Sequence, residues 1–118
     1  MASRVELVEV AEADRRLADG GGGVFSEAEL RYAHERVDPG RRLAARLAAK
    51  RAARRLLGDE VAEAEIEVVR GPYGPPSLRL TGAALARMQA LGARRALVSL
   101  THERATAAAL VLLLRDGW

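Results

Sequence analysis

The sequence predicts an α+β domain in which an antiparallel sheet is packed with helices. Short β-prone runs come in sequential pairs, Ile66 to Val69 with Ser77 to Leu80 and Ala96 to Leu100 with Ala107 to Leu113. The links between them are too short to hold a crossover helix, so each pair is antiparallel. Helical stretches are grouped between strand runs instead of alternating one for one, which argues against a parallel α/β sheet. The 118 residues suffice for one compact domain, residues 1–118, and not for two.

Val5-Glu6-Leu7-Val8-Glu9-Val10 opens the chain as a strand, being short, β-branched and partly alternating. Gly20 to Gly23 breaks the chain. Ser26 and Glu29 then have capping-box spacing, flanked by Phe25 and Leu30 as a hydrophobic staple, so a helix starts at Glu27. Pro39-Gly40 precedes a second helix, Arg41 to Leu57, for which Gly58 is the expected left-handed terminator. Gly71-Pro72-Tyr73-Gly74-Pro75-Pro76 forms the rigid turn of the first hairpin. Thr81 is placed to cap a third helix, Gly82 to Leu91, ended by Gly92, and Thr101-His102-Glu103-Arg104 turns the chain between the last two strands. The expected order is β, α, α, β, β, α, β, β.

Composition narrows the function. There is no cysteine, which excludes disulfides, thiolate metal sites and a cysteine nucleophile, and makes a cytoplasmic setting the default. The longest apolar run, Ala105 to Leu114, is far short of the roughly 20 residues a spanning helix needs, so no membrane partner is expected. Basic residues number 19, all arginine except Lys50, but Asp and Glu are interleaved among them and aromatics are 3%. Nucleic-acid binders gather their charge on one face, so no nucleic-acid role is expected.

One helix departs from this mixed surface. Arg42, Arg46, Lys50 and Arg54 recur every fourth residue and line one stripe. Such a row repels itself unless an anion lies against it. It reads either as a solvated face or as a receptor for a polyphosphate. His102 reads either as an ordinary turn residue or as a functional one, and His34 as structural or exposed.

Three strings resemble the holo-acyl-carrier-protein synthase group of the 4′-phosphopantetheinyl transferase superfamily. Val5-Glu6-Leu7-Val8-Glu9-Val10 is similar to the family's opening Gly-h-Asp-h-h-Glu-h, h being hydrophobic. Arg46-Leu47-Ala48-Ala49-Lys50-Arg51-Ala52 with Arg55, Leu57 and Gly58 is similar to Arg-Phe-Ala-Ala-Lys-Glu-Ala-x-x-Lys-Ala-h-Gly, the most specific of the three. Val98-Ser99-Leu100-Thr101-His102 is similar to Ser-h-Ser/Thr-His, and Gly74 with Pro76 resembles a Gly-x-Pro hairpin.

The resemblance implies an enzyme of fatty acid or polyketide assembly that moves phosphopantetheine from coenzyme A to a serine of an acyl carrier protein. It also implies a trimer with its site between subunits, or a hetero-oligomer of related subunits. Carried over residue by residue, it places Arg46, Lys50, Arg51, Arg55, Gly74, Pro76, Thr101 and His102 at coenzyme A or bound phosphopantetheine, and Glu6, Lys50 and His102 in catalysis.

Three positions depart from the pattern. An Asp and a Glu hold Mg²⁺ in the family, and here those places carry Glu6 and Arg51. A guanidinium about 4 Å from a divalent ion is repelled by ~8 kcal/mol at an effective dielectric near 20, so Mg²⁺ is not expected to be held in the family's manner. Arg51 is expected instead to pair with Glu6 or reach the diphosphate. The family's carrier-gripping Arg is here Glu12, with Arg15 and Arg16 one turn on to compensate. Two other functions stay open: a non-catalytic carrier-binding or assembly subunit, and a repurposed enzyme in which Glu6 and His102 isomerise or dehydrate a carrier-bound acyl chain.

Overall fold

The computed structural model describes residues 2–70 and 74–115. The elements are β1 (Ala2–Glu9), α1 (Val10–Ala18), α2 (Glu27–His34), α3 (Pro39–Leu57), β2 (Ile66–Val69), β3 (Ser77–Leu80), α4 (Gly82–Ala90), β4 (Arg95–His102) and β5 (Thr106–Leu114), with one 3₁₀ turn, Glu63–Glu65, before β2. The strands form one antiparallel sheet in the order β1-β5-β4-β3-β2. The α+β expectation and both hairpins are found. Gly71 to Tyr73 of the expected turn lie outside the described residues.

α1 is absent from the sequence expectation. Val10, assigned there to the strand, is the first residue of α1, and no side chain caps that helix. Its apolar positions, Val10, Ala13 and Leu17, have helical spacing, but the usual start signal is missing. α2 starts where expected: the Ser26 hydroxyl accepts from Glu29 N–H at 3.1 Å, and Glu29 Oε1 accepts from Ser26 N–H at 2.9 Å. Thr81 stands at the N-cap position of α4 without a side-chain cap bond. The carboxylate of Glu65 caps that helix instead, accepting from Ala83 N–H and also from Ala62 N–H, which holds its pKa below the usual carboxylate value. Gly82 has φ +54°, which favours glycine, and a Cβ there would push the same carboxylate out of its cap.

α3 is the axis of the molecule. Leu43, Leu47 and Leu57 are buried with Ala44, Ala45, Ala48, Ala49, Ala52 and Ala53. Those alanines pack into two contiguous cores with Val8, Val68, Ala107 and Ala109 at one end and Ile66, Ala84, Val111 and Leu113 at the other. Small side chains bring the helix close to β1 and β5, so anything long on α3 must find a partner or leave the core. On the sheet face away from α3, Val5, Leu7 and Leu97 stand exposed at 56%, 67% and 37%. β3 joins β4 through the single pair Ser77 with Leu97, so the hairpin hangs on the edge of a three-stranded sheet with full registers.

Candidate functional site

Arg46 and Lys50 are inside the protein, 3% and 1% exposed, so the continuous surface stripe is not formed. The Lys50 ammonium pairs with Glu29 Oε1 at 2.8 Å and donates to the carbonyls of Glu63 and Ile66. Glu29 Oε2 meanwhile accepts from Val68 N–H at 2.9 Å. One buried ion pair thus ties α2, α3, the 3₁₀ turn and β2 together. Burial pulls the lysine pKa down, and Glu29 opposes that shift. Arg54 is spent on the loop that follows, donating to the carbonyls of Val61 at 2.7 Å and Asp59 at 3.2 Å, and Arg42 meets Asp38 at 3.4 Å.

Arg42 and Arg46 are the members of the row that reach a cavity. The hollow, about 300 Å³, is lined by Tyr32, Arg42, Ala45, Arg46, Arg70, Leu100, Thr101 and His102. Arg46 and Arg36 both lie over the Tyr32 ring, 4.1 and 4.2 Å from its centroid, which fixes the Arg46 guanidinium. Burial raises the Tyr32 pKa, but the hydrogen bond from Arg36 and the charges of Arg46, Arg36 and Arg70 outweigh it and leave the phenol below its usual value. Burial also lowers the pKa of Arg46. Arg46 Nε and His102 Nδ1 are buried with no hydrogen-bond partner among the described residues. Buried polar atoms are normally satisfied, and the two residues that carry these orphans both line the cavity.

A second hollow of about 250 Å³ shares Tyr32, Arg46 and Arg70 and adds Glu67 and Arg79. A third, about 270 Å³, opens on the other side of Thr101 and His102 toward Leu7. The largest of the hollows described among these residues, about 660 Å³ along α4, contains none of the expected site residues. Tyr32 and Arg70 were not among the expected site residues, and Arg42 was expected only as a member of the cationic stripe. Arg42 lies one helical turn before Arg46, which was a usable signal, whereas nothing local in the sequence marks Tyr32 or Arg70.

Glu6 is on another flank. Its Oε1 meets Arg4 Nη2 at 3.1 Å and Arg55 Nε at 3.3 Å. Arg51 does not pair with Glu6 as expected. Its two Nη groups grip the two oxygens of Glu12, one at 3.1 Å and the other in a closer contact. That bond, with the nearby arginine charge, holds the Glu12 carboxyl below its usual value, and the same bond, with the nearby carboxylate charge, holds the Arg51 guanidinium above its own. One carboxylate between two guanidiniums, with a third guanidinium at the second ligand position, is a donor set that does not fit Mg²⁺. Among the described residues no group of three or more His, Asp or Glu side chains is placed to hold a metal ion.

Glu6 faces Ala109 and His102 faces Ala107 on opposite edges of β5. Two strand spacings and two residues of offset put their Cα atoms roughly 12 Å apart. Gly74 and Pro76 lie beyond β2 and line none of these hollows, and His34 is exposed as expected. No described helix is long and apolar enough to cross a membrane.

The strand order and helix placement define a 4′-phosphopantetheinyl transferase-like α+β fold. The chain resembles a Mycobacterium tuberculosis acyl carrier protein synthase with TM-score 0.72 and 32% identity, covering 97% of this chain and 96% of that one. It resembles the Chronobacterium ammoniagenes ACPS–CoA complex with TM-score 0.75 and 28% identity, covering 97% and 98%. It is also 44% identical over 117 residues to the holo-[acyl-carrier-protein] synthase of Nitratidesulfovibrio vulgaris (strain DP4), over 90% of this chain and 94% of that protein. No protein-family profile matches. The chain belongs to the holo-acyl-carrier-protein synthase family.

Proposed function

We propose that this protein transfers 4′-phosphopantetheine from coenzyme A to a serine of an acyl carrier protein. The observation that carries the reading is the cavity with orphaned Arg46 Nε and His102 Nδ1, framed by Arg42 and Arg70. An anionic phosphate there would satisfy the arginine and offset the cost of its burial, and guanidinium forks suit phosphate oxygens. The similar chain solved as a coenzyme A complex supports the choice of ligand.

In the transfer, the serine oxygen attacks the phosphorus attached to pantetheine, its proton passes to solvent, the bond to the other phosphate breaks, and 3′,5′-ADP leaves with the bridging oxygen. Arg42, Arg46 and Arg70 hold phosphate oxygens, and His102 with Thr101 positions the cofactor between the two hollows they share. Lys50 acts from behind, since its pair with Glu29 fixes the wall from which Arg46 projects.

Self-association completes the proposal. Val5, Leu7 and Leu97 form an apolar face on the sheet, and burying it against further copies, in a homotrimer or with related subunits, would remove it from water. One observation favours a second reading, a carrier-binding subunit without transfer: both metal-ligand positions are held by internal ion pairs.

Mass spectrometry of apo carrier proteins incubated with coenzyme A and the purified protein separates the two. A gain of one phosphopantetheinyl group on the carrier is expected. Unmodified carrier across a panel, with Mg²⁺, Mn²⁺ or chelator present, would contradict transfer and leave the binding reading.

A further inference from the structure

Glu12 and Arg51 depart from the family pattern in opposite senses: acid stands where the pattern has a base, and base where it has an acid. The two side chains are in bidentate contact. We propose that they are a charge-exchanged pair that closes this flank to divalent cations, so that the chain holds its polyphosphorylated ligand with guanidinium groups alone.

The surroundings agree. Three guanidiniums, Arg4, Arg51 and Arg55, face two carboxylates, Glu6 and Glu12, and both carboxylates are already paired. Arg15 and Arg16 add positive charge around Glu12 from its own helix. Glu63, the remaining acid acting on Arg51, also acts on Lys50. A divalent ion would have to displace at least two arginines to gather two carboxylates, and those arginines would stay within repulsive range. Arg55 and Arg4 are 62% and 48% exposed in their side chains, so they can leave Glu6 and turn to an arriving diphosphate. A fork donating two hydrogen bonds replaces part of what an ion bridging two phosphates supplies.

The identity of the ligand rests on the transferase reading, so the test has two arms. The first uses the protein alone: electron paramagnetic resonance of added Mn²⁺ is expected to show only the free ion with the wild type and a bound fraction with Glu12→Arg/Arg51→Glu. Thermal melting checks that this variant, which keeps an ion pair, is folded. Bound Mn²⁺ on the wild type, or a folded reversal variant that stays metal-free, overturns the exchange. The second arm titrates coenzyme A calorimetrically with Mg²⁺ or with chelator. Wild-type affinity is expected to change by less than about twofold, and a loss of about tenfold on chelation overturns the proposal. If coenzyme A fails to bind in both conditions, the transferase reading falls, while the manganese arm still decides whether this flank excludes metal.

Discussion

α3 carries two rows of cations that have met opposite fates. Arg42, Arg46 and Lys50 turn toward α2, β2 and the cavity, where Lys50 is fully engaged and Arg46 keeps an unsatisfied nitrogen. Arg51 and Arg55 turn toward α1 and β1, where Glu12 and Glu6 neutralise them at the surface. The residue type is nearly the same throughout, so partner and burial decide the role. A cation left incomplete inside the fold marks a place for a ligand, whereas carboxylates already paired by arginines mark a place closed to a metal ion.

The first row is the easier one to break. Glu29→Ala leaves the Lys50 ammonium buried without its carboxylate, and the expected loss is about 3–5 kcal/mol of unfolding free energy, read from urea denaturation. Glu29→Leu with Lys50→Met is expected to recover only part of it, because the apolar pair removes the uncompensated charge but leaves Val68 N–H and the carbonyls of Glu63 and Ile66 without their partners. A single substitution costing under about 1 kcal/mol would mean that the pair is not the fastening of α2 to β2.

Two intermediate effects sharpen the comparison. His102→Ala removes one orphan from the cavity wall and is expected to weaken coenzyme A binding by about tenfold in calorimetry, at unchanged melting temperature. Unchanged affinity would take the cavity out of the site. Leu7→Glu places charge on the apolar sheet face and is expected to shift the sedimentation coefficient from an oligomer to a monomer. A wild type that sediments as a monomer would remove self-association.

The second row gives the smallest effect. Glu12→Gln is expected to cost about 0.5–1 kcal/mol at neutral pH, as partly exposed ion pairs do. Arg51 depresses the folded pKa of Glu12, so the contribution is complete above the unfolded pKa and is lost as pH falls through the folded value. Melting curves of wild type and variant are therefore expected to converge toward acid. A gap that persists there would mean that the carboxylate charge is not what stabilises.

Much of the fold was legible because its signals are local. The Ser26–Glu29 capping box fixed α2, Gly58 marked the end of α3, whose start falls at Pro39, two residues before the expected Arg41, and paired β-prone runs fixed the hairpins. α1 escaped because it begins directly after β1 with no cap. The site was less legible because spacing along a helix gives direction and not depth. The four-residue repeat put Arg46 and Lys50 on one stripe, but only the alanines around them, packed on β1 and β5, show that the stripe runs into the core. Arg51 was expected to pair with Glu6 or reach the diphosphate, by analogy with a metal pair, and nothing local in the sequence brings positions 12 and 51 together.

The account stands on the basic cavity, and a calorimetric titration of Arg46→Ala with coenzyme A addresses it most directly. Losing a guanidinium bonded to phosphate is expected to weaken binding by about tenfold to a hundredfold relative to the wild type. Equal affinity in wild type and a folded Arg46→Ala protein would contradict the account, because the buried arginine would then be only a structural part of α3.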